Sequence, residues 1–101
     1  MEKNIKPGHE MTRESIESYL KDRVEILIKK NSDYEGASFD RGLAGNELLV
    51  WNKAKRYRSL VKKIQRGEEP HFEGIRDTLG DLLGYCVIGL HILDSGKIKD
   101  E

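Results

Sequence analysis

The chain has 101 residues, of which 36% are charged, and its 18 basic and 18 acidic side chains give a formal net charge of zero. Domains that bind nucleic acid are usually clearly basic, so this balance argues against nucleic acid as a partner. Leu, Ile, Val and Phe number 26, which is enough for one folded domain but predicts a thin core.

The single cysteine excludes an internal disulfide framework and a cysteine-based zinc cluster. Cys86 lies in an apolar run, which predicts a buried, reduced thiol. That run, residues 82–93, is too short for a membrane span, which needs about 20 residues. The polar residues 1–10 have no apolar signal-peptide core. We therefore expect a cytoplasmic protein with no membrane partner.

Residues 1–11 are predicted to form a flexible arm, residues 12–95 a single domain and residues 96–101 a tail. Thr12 is a candidate N-cap for the first helix. Apolar residues then recur at steps of three and four, which is helical periodicity. We expect this helix to end near Lys30, with a turn at residues 31–33. Residues 34–45 contain three glycines and are predicted to form a long loop, of a length that is often functional.

A second helix is predicted from Asn46, as N-cap, to a C-cap at Gly67. Its apolar stripe is Val50, Ala54, Tyr57, Val61 and Ile64, with Lys53 and Arg56 beside it. A third helix is predicted from His71 to Leu93, apolar almost all round in its second half. Such a helix is buried on several sides, which predicts self-association through it. Four glycines within it suggest close contacts with neighbouring helices. No segment alternates like a strand, so the fold class is all-α, with three main helices.

Three carboxylates recur every four residues on the third helix: Glu73, Asp77 and Asp81. They form one acidic stripe with apolar flanks, and like charges at this spacing repel. Two kinds of partner would offset the repulsion. One is a divalent cation such as Mg²⁺, which prefers carboxylate oxygens. The other is Lys53 and Arg56, in an ion-pair network inside the protein.

Three motifs together carry a family resemblance: Lys30-Asn31-Ser32-Asp33-Tyr34, then Trp51-x-Lys53-x-x-Arg56, then Glu73-x-x-x-Asp77-Thr78-x-x-Asp81-Leu82-x-x-Tyr85. They resemble the nucleotide-modification-associated domain 1 family of bacteriophages and prophages. That family is similar in turn to the MazG-like all-α nucleoside-triphosphate pyrophosphohydrolases, which are helical oligomers. The segment Thr78-Leu79-Gly80-Asp81-Leu82-Leu83 resembles their second acidic motif.

The resemblance implies a MazG-like helical arrangement completed by oligomerisation, in a bacterial or phage-infected cell. It implies Asp77 and Asp81 as Mg²⁺ ligands and a nucleotide or nucleoside triphosphate as ligand. Under this hypothesis Glu73 joins the metal site, and Lys53 and Arg56 hold phosphate charge. Further candidate site residues are Lys30, Asp33, Tyr34 and Trp51. The Glu-x-x-Glu pair of those enzymes is missing, with Lys53 and Arg56 on the second helix instead. The alternative is therefore a non-catalytic phage interaction module, in which the same charges form an internal network.

Overall fold

A computed structural model of the protein describes residues 10–33 and 41–96, without the side chain of Asp33. These residues form three helices: α1 (Arg13–Asp33), α2 (Gly42–Gln65) and α3 (Phe72–Ser95). No strand occurs within the described ranges. The predicted all-α class is confirmed, while the MazG-like arrangement stays a prediction.

The helix α3 packs mainly on α2, and the two run antiparallel. Three polar contacts define the direction and the register, since increasing residue numbers on α2 are paired with decreasing residue numbers on α3. From the start of α2 onward, Asn46 bonds to Tyr85, Lys53 to Asp81 and Arg56 to Thr78. Within the described ranges the buried large apolar side chains are Leu60, Ile88 and Ile92. The core of a single copy is therefore as thin as the composition predicts.

The helix α1 lies beside α3 in parallel orientation and is packed loosely on it. Arg23 reaches Gly80 and Leu27 reaches Gly84, so positions rise together along both helices. Spaces of about 500 and 240 Å³ remain between α1 and the two ends of α3. The bundle thus consists of a close α2–α3 hairpin with a more weakly held first helix.

The N-terminus of α1 is capped as predicted. The Thr12 hydroxyl accepts a hydrogen bond from the Ser15 amide at 3.0 Å, and the Ser15 hydroxyl accepts one from the Thr12 amide at 3.1 Å. The helix continues through residues 31–33, so the turn predicted there is wrong. No Gly or Pro lies between Lys30 and Gly36 to stop it, and polar residues alone do not end a helix.

The helix α2 begins four residues before the predicted start, so Asn46 is an interior residue and not an N-cap. The helix runs through Gly45, because one interior glycine costs only about 1 kcal/mol of helix propensity. At the other end the prediction is confirmed. Gly67 adopts φ +83°, and the amides of Gly67 and Glu68 donate to the carbonyls of Ile64 and Lys63. This is the Schellman arrangement that glycine permits.

None of the described helices combines the length and the apolarity that crossing a membrane would require.

Candidate functional site

Asp81, on the inner side of α3, forms ion pairs with side chains of both other helices. Its Oδ1 lies 3.0 Å from Nζ of Lys30 on α1, and its Oδ2 lies 3.0 Å from Nζ of Lys53 on α2. The Asp81 side chain is 20% exposed, that of Lys53 29% and that of Lys30 50%. One carboxylate therefore holds two ammonium groups at the edge of the core.

The environment of Asp81 favours its ionised form. Burial by itself raises the pKa of the Asp81 carboxyl, but the hydrogen bonds and charges of Lys30 and Lys53 outweigh burial and hold the pKa below its ordinary value of 3.8. The carboxylate is thus negative at neutral pH and neutralises one of its two lysines.

A cavity of about 280 Å³ opens beside this cluster, between the three helices. Its polar wall contains Arg23, Lys30, Lys53 and Asp81, and its apolar wall comes from α1 and α3. The Arg23 side chain crosses α3 at Gly80. The Cβ of any larger residue at position 80 would overlap the Arg23 guanidinium. Within the described ranges no carboxylate pairs with Arg23.

The cavity wall carries more positive than negative charge. Arg23, Lys30 and Lys53 are cationic at neutral pH, whereas Asp81 is the single carboxylate among the lining residues. A partly enclosed site with excess positive charge attracts anions, since the low-dielectric walls concentrate its field. Lysine and arginine both bind phosphate, lysine as a compact point charge and arginine through its bidentate fork.

Glu73 and Asp77 do not join Asp81 in a cluster, and both are exposed. Each four-residue step turns the helix by about 40°, so Glu73 is rotated by about 80° from Asp81. Within the described ranges, no three His, Cys, Asp or Glu side chains are placed to hold a metal ion. Both oxygens of Asp81 face lysine ammonium groups. Among the described residues the three predicted ligands are therefore not gathered around one point, and the Mg²⁺ site stays a prediction.

Of the two basic residues predicted beside the acidic stripe, only Lys53 reaches it. Arg56 was expected in an ion-pair network with this stripe, in the same chain or across a dimer. Within the single copy its Nε donates to Oγ1 of Thr78 at 3.2 Å. The Thr78 hydroxyl is buried and donates in turn to the carbonyl of Gly74 at 2.7 Å. The antiparallel register explains the difference, because it pairs position 53 with 81 and position 56 with 78.

The remaining predicted site residues lie elsewhere. Trp51 is 56% exposed on α2 and does not line the cavity. The side chain of Asp33 and the whole of Tyr34 lie outside the described residues. Cys86 is exposed, so its predicted burial is wrong. Tyr85 and Ile88 lie on the side of α3 that faces α2. Cys86, the residue after Tyr85, is rotated away from that side.

Two residues that matter to the site were missed by the sequence analysis. Arg23 had a usable signal, since Arg23, Leu27 and Lys30 are spaced on one face of α1. Asn46 is buried, and its Nδ2 donates to the Tyr85 carbonyl at 2.8 Å. Its signal was ambiguous, because asparagine before an apolar run is also the commonest pattern of an N-cap.

Comparison of the chain with family models, with curated proteins and with solved structures finds no match. The resemblance to the nucleotide-modification-associated domain 1 family therefore remains an interpretation of the three motifs.

Proposed function

We propose that this protein binds a nucleotide through the cationic cavity at Asp81. The observation that carries the proposal is the charge of the cavity wall, which contains the three basic side chains Arg23, Lys30 and Lys53 but a single carboxylate, Asp81. Asp81 positions the two lysines and neutralises one of them, and Arg23 has no carboxylate partner in the described part of the chain. A phosphate group would complete the charge balance.

A second cavity next to the first supports a nucleotide over a simple phosphate. It measures about 500 Å³ and shares Arg23 and Gly80 with the cationic cavity. Tyr19, Phe72 and Leu79 belong to its largely apolar wall. Aromatic and aliphatic side chains suit a base, since every base has an apolar ring face. Arg23 would then lie between the phosphate and the base.

The proposal concerns binding. Hydrolysis of a nucleoside triphosphate to monophosphate and pyrophosphate remains a prediction of the family resemblance, and so does the Mg²⁺ on which it depends. Within the described ranges no three carboxylates are grouped as metal ligands, and the proposal assigns no catalytic step to them.

Calorimetric titration with phosphate, pyrophosphate, nucleoside monophosphates and nucleoside triphosphates tests the proposal, each with and without Mg²⁺. We expect nucleotides to bind more tightly than inorganic phosphate, because they fill both cavities. Arg23→Gln should weaken binding about tenfold or more, since hydrogen bonds to charged groups contribute about 1.5–3 kcal/mol. Lys21→Gln is the matched control, because Lys21 is exposed on the same helix and lines neither cavity. Absence of binding by any of these anions, or equal loss in both variants, would overturn the proposal.

A specific observation also favours the second candidate, a non-catalytic interaction module, whose partner would be a second copy of this chain. Four apolar side chains at every fourth position of α1 are exposed: Ile16, Leu20, Val24 and Ile28. Leu90 and Leu93 on α3 are exposed as well. Contiguous apolar surface of this kind marks interaction sites. Self-association and nucleotide binding are compatible, because this stripe lies outside the cationic cavity.

A further inference from the structure

The zero net charge of the chain conceals an uneven distribution. The helix α2 contains six Lys or Arg residues and one Glu, a net charge of +5, whereas α3 contains one Arg and four Asp or Glu, a net charge of −3. The helix α1 is balanced, with five residues of each sign. An argument from net charge alone therefore misses the strongly basic helix.

The basic residues of α2 are concentrated on its outer side. A stripe formed by Trp51, Lys55, Arg58, Lys62 and Arg66 runs at steps of three and four, which places its members on one helix face. Asn46 and Ile64 lie on the opposite side of the helix, about half a turn away, where Asn46 is buried against α3. A shallow groove is lined by the stripe's four basic residues and Ser59. The stripe consequently faces away from the rest of the described protein.

The stripe is poorly neutralised within the described chain. Arg66 pairs with Glu68 at 2.8 Å, but Lys55, Arg58 and Lys62 have no carboxylate partner among the described residues. Like charges three and four residues apart destabilise a helix slightly. In the part of the chain that the structure describes, three adjacent cations are therefore unpaired on an exposed face, which a polyanion would neutralise.

Two features identify the kind of polyanion. Successive cations lie about 4.5–6 Å apart along the helix axis and line a shallow groove. A cationic groove of this kind follows the phosphate backbone of a single strand. Trp51, the only tryptophan, is 56% exposed at the end of the same stripe. An exposed indole stacks on unpaired bases, whereas bases inside a duplex are already stacked on one another.

We infer that the outer face of α2 binds single-stranded nucleic acid, with Lys55, Arg58 and Lys62 on phosphates and Trp51 stacked on a base. The surface is separate from the cationic cavity, so this inference does not depend on the proposed nucleotide site. An anionic membrane would meet the same positive charge, but the stripe offers no row of apolar side chains that would insert beside its cations.

The test is fluorescence anisotropy with a labelled 20-nucleotide oligo(dT), compared with a 20-base-pair duplex and with vesicles containing phosphatidylserine. We expect the single strand to bind most tightly at 50 mM salt and to quench the fluorescence of Trp51. Raising the salt to 200 mM should weaken binding, because each phosphate contact contributes about 0.7 to the logarithmic salt slope on single strands.

Two double variants carry the same change of net charge. Lys55→Gln with Lys62→Gln should weaken binding about tenfold and reduce the salt slope by about 1.4, since two phosphate contacts are removed. Arg13→Gln with Lys21→Gln on α1 is the control and should leave binding within twofold. Trp51→Ala should weaken binding of the single strand at least fivefold while hardly affecting the duplex. All of these residues are exposed, so circular dichroism should show folded proteins.

No binding of the single strand at 50 mM salt would overturn the inference, and so would equal losses in the two double variants. Duplex binding as tight as that of the single strand, without quenching of Trp51, would also overturn it. Tight binding to the vesicles in the absence of oligonucleotide binding would assign the basic stripe to a membrane surface instead.

Discussion

Asp81 determines how much of the positive charge of the cavity is available to a ligand. Its two carboxylate oxygens each bind one lysine, Lys30 and Lys53, while its one negative charge cancels only one of their two positive charges. Removing this carboxylate would leave two ammonium groups close together and partly buried. The residue therefore stabilises the fold and holds the proposed anion site in shape.

We expect Asp81→Asn to lower the melting temperature at pH 7, because the amide keeps the shape but loses both ion pairs. The pKa of Asp81 is held below its ordinary value of 3.8, so the folded state favours the carboxylate. Its contribution to stability is fully present above about pH 4 and is lost as the pH falls through the lowered pKa of the folded state. Melting temperatures of both proteins, measured from pH 7 to pH 3, should therefore converge at the acidic end.

Asp77→Asn serves as the control for this experiment, because Asp77 is exposed and has no ion pair among the described residues. It should change the melting temperature little at any pH. A difference between wild type and Asp81→Asn that stays constant down to pH 3 would contradict the role given to the carboxylate.

Arg56 and Arg58 provide a second comparison at the scale of single residues. Arg56→Ala removes a hydrogen bond to the buried Thr78 hydroxyl and should cost about 1 kcal/mol of unfolding free energy. Arg58 lies on the exposed stripe, so the unfolding free energy of Arg58→Ala should stay within about 0.5 kcal/mol of the wild-type value. Urea unfolding measures both values. Equal effects would mean that the bond between Arg56 and Thr78 contributes nothing.

At the scale of helices, the contact between Asn46 and Gly89 fixes how closely α2 and α3 approach. A Cβ at position 89 would lie 2.6 Å from Oδ1 of Asn46, closer than atoms tolerate. The amide of Asn46 meanwhile satisfies the second lone pair of the Tyr85 carbonyl. The glycine and the asparagine therefore form one structural unit across the hairpin.

We expect Gly89→Ala to destabilise the protein, even though alanine favours a helix by about 1 kcal/mol over glycine. In an Asn46→Ala background the same substitution should become neutral or stabilising, because the clash is gone. Thermal or urea unfolding of the four proteins in this cycle gives the coupling energy. Gly84→Ala is the control and should stabilise, since its Cβ would meet only Leu27 at an ordinary 3.7 Å. Additive effects of Asn46→Ala and Gly89→Ala would show that the two residues do not interact.

These contacts also show how far sequence reasoning reaches in this chain. Periodicity locates all three helices, and glycine chemistry identifies the end of α2 at Gly67, because both are local properties. The clustered glycines of α3 correctly indicate close neighbours at Gly80 and Gly89. Local pattern does not fix the register between helices, however. That register decides that Lys53 meets Asp81 while Arg56 meets Thr78, and it turns Asn46 from an expected cap into a buried contact.

The site was predicted only in part for a related reason. Lys30, Lys53 and Asp81 were all candidates, and the structure brings them together around one carboxylate. Glu73 and Asp77 share their spacing with Asp81 but not its burial. Each four-residue step rotates the acidic stripe around α3, so only Asp81 lies on the inner face of the helix. Arg23 enters the cavity only because α1 lies parallel to α3, an orientation that no single segment specifies.

At the scale of the whole molecule, the bundle leaves much apolar surface uncovered. Fourteen large apolar side chains of the described ranges are exposed, against three that are buried. Complete burial of one such side chain is worth about 1.5–3 kcal/mol. Of the candidate partners for this surface, a second copy of the chain is always present. The helix α1, loosely packed on α3, offers the most regular apolar stripe.

We expect the protein to be at least a dimer at micromolar concentration. The sequence pattern predicted α3 as the interface, but the most regular exposed apolar stripe is Ile16, Leu20, Val24 and Ile28 on α1, and we place the interface there. Light scattering coupled to size exclusion would then give about twice the chain mass of 11.6 kDa or more. Leu20→Gln combined with Val24→Gln should shift the protein toward monomer, because both changes remove apolar area from the centre of the stripe. Lys21→Gln, on the same turn of α1 but outside the stripe, should leave the mass unchanged. A wild-type mass of a single chain at these concentrations would contradict the prediction, and so would a double variant that keeps the wild-type mass while remaining helical.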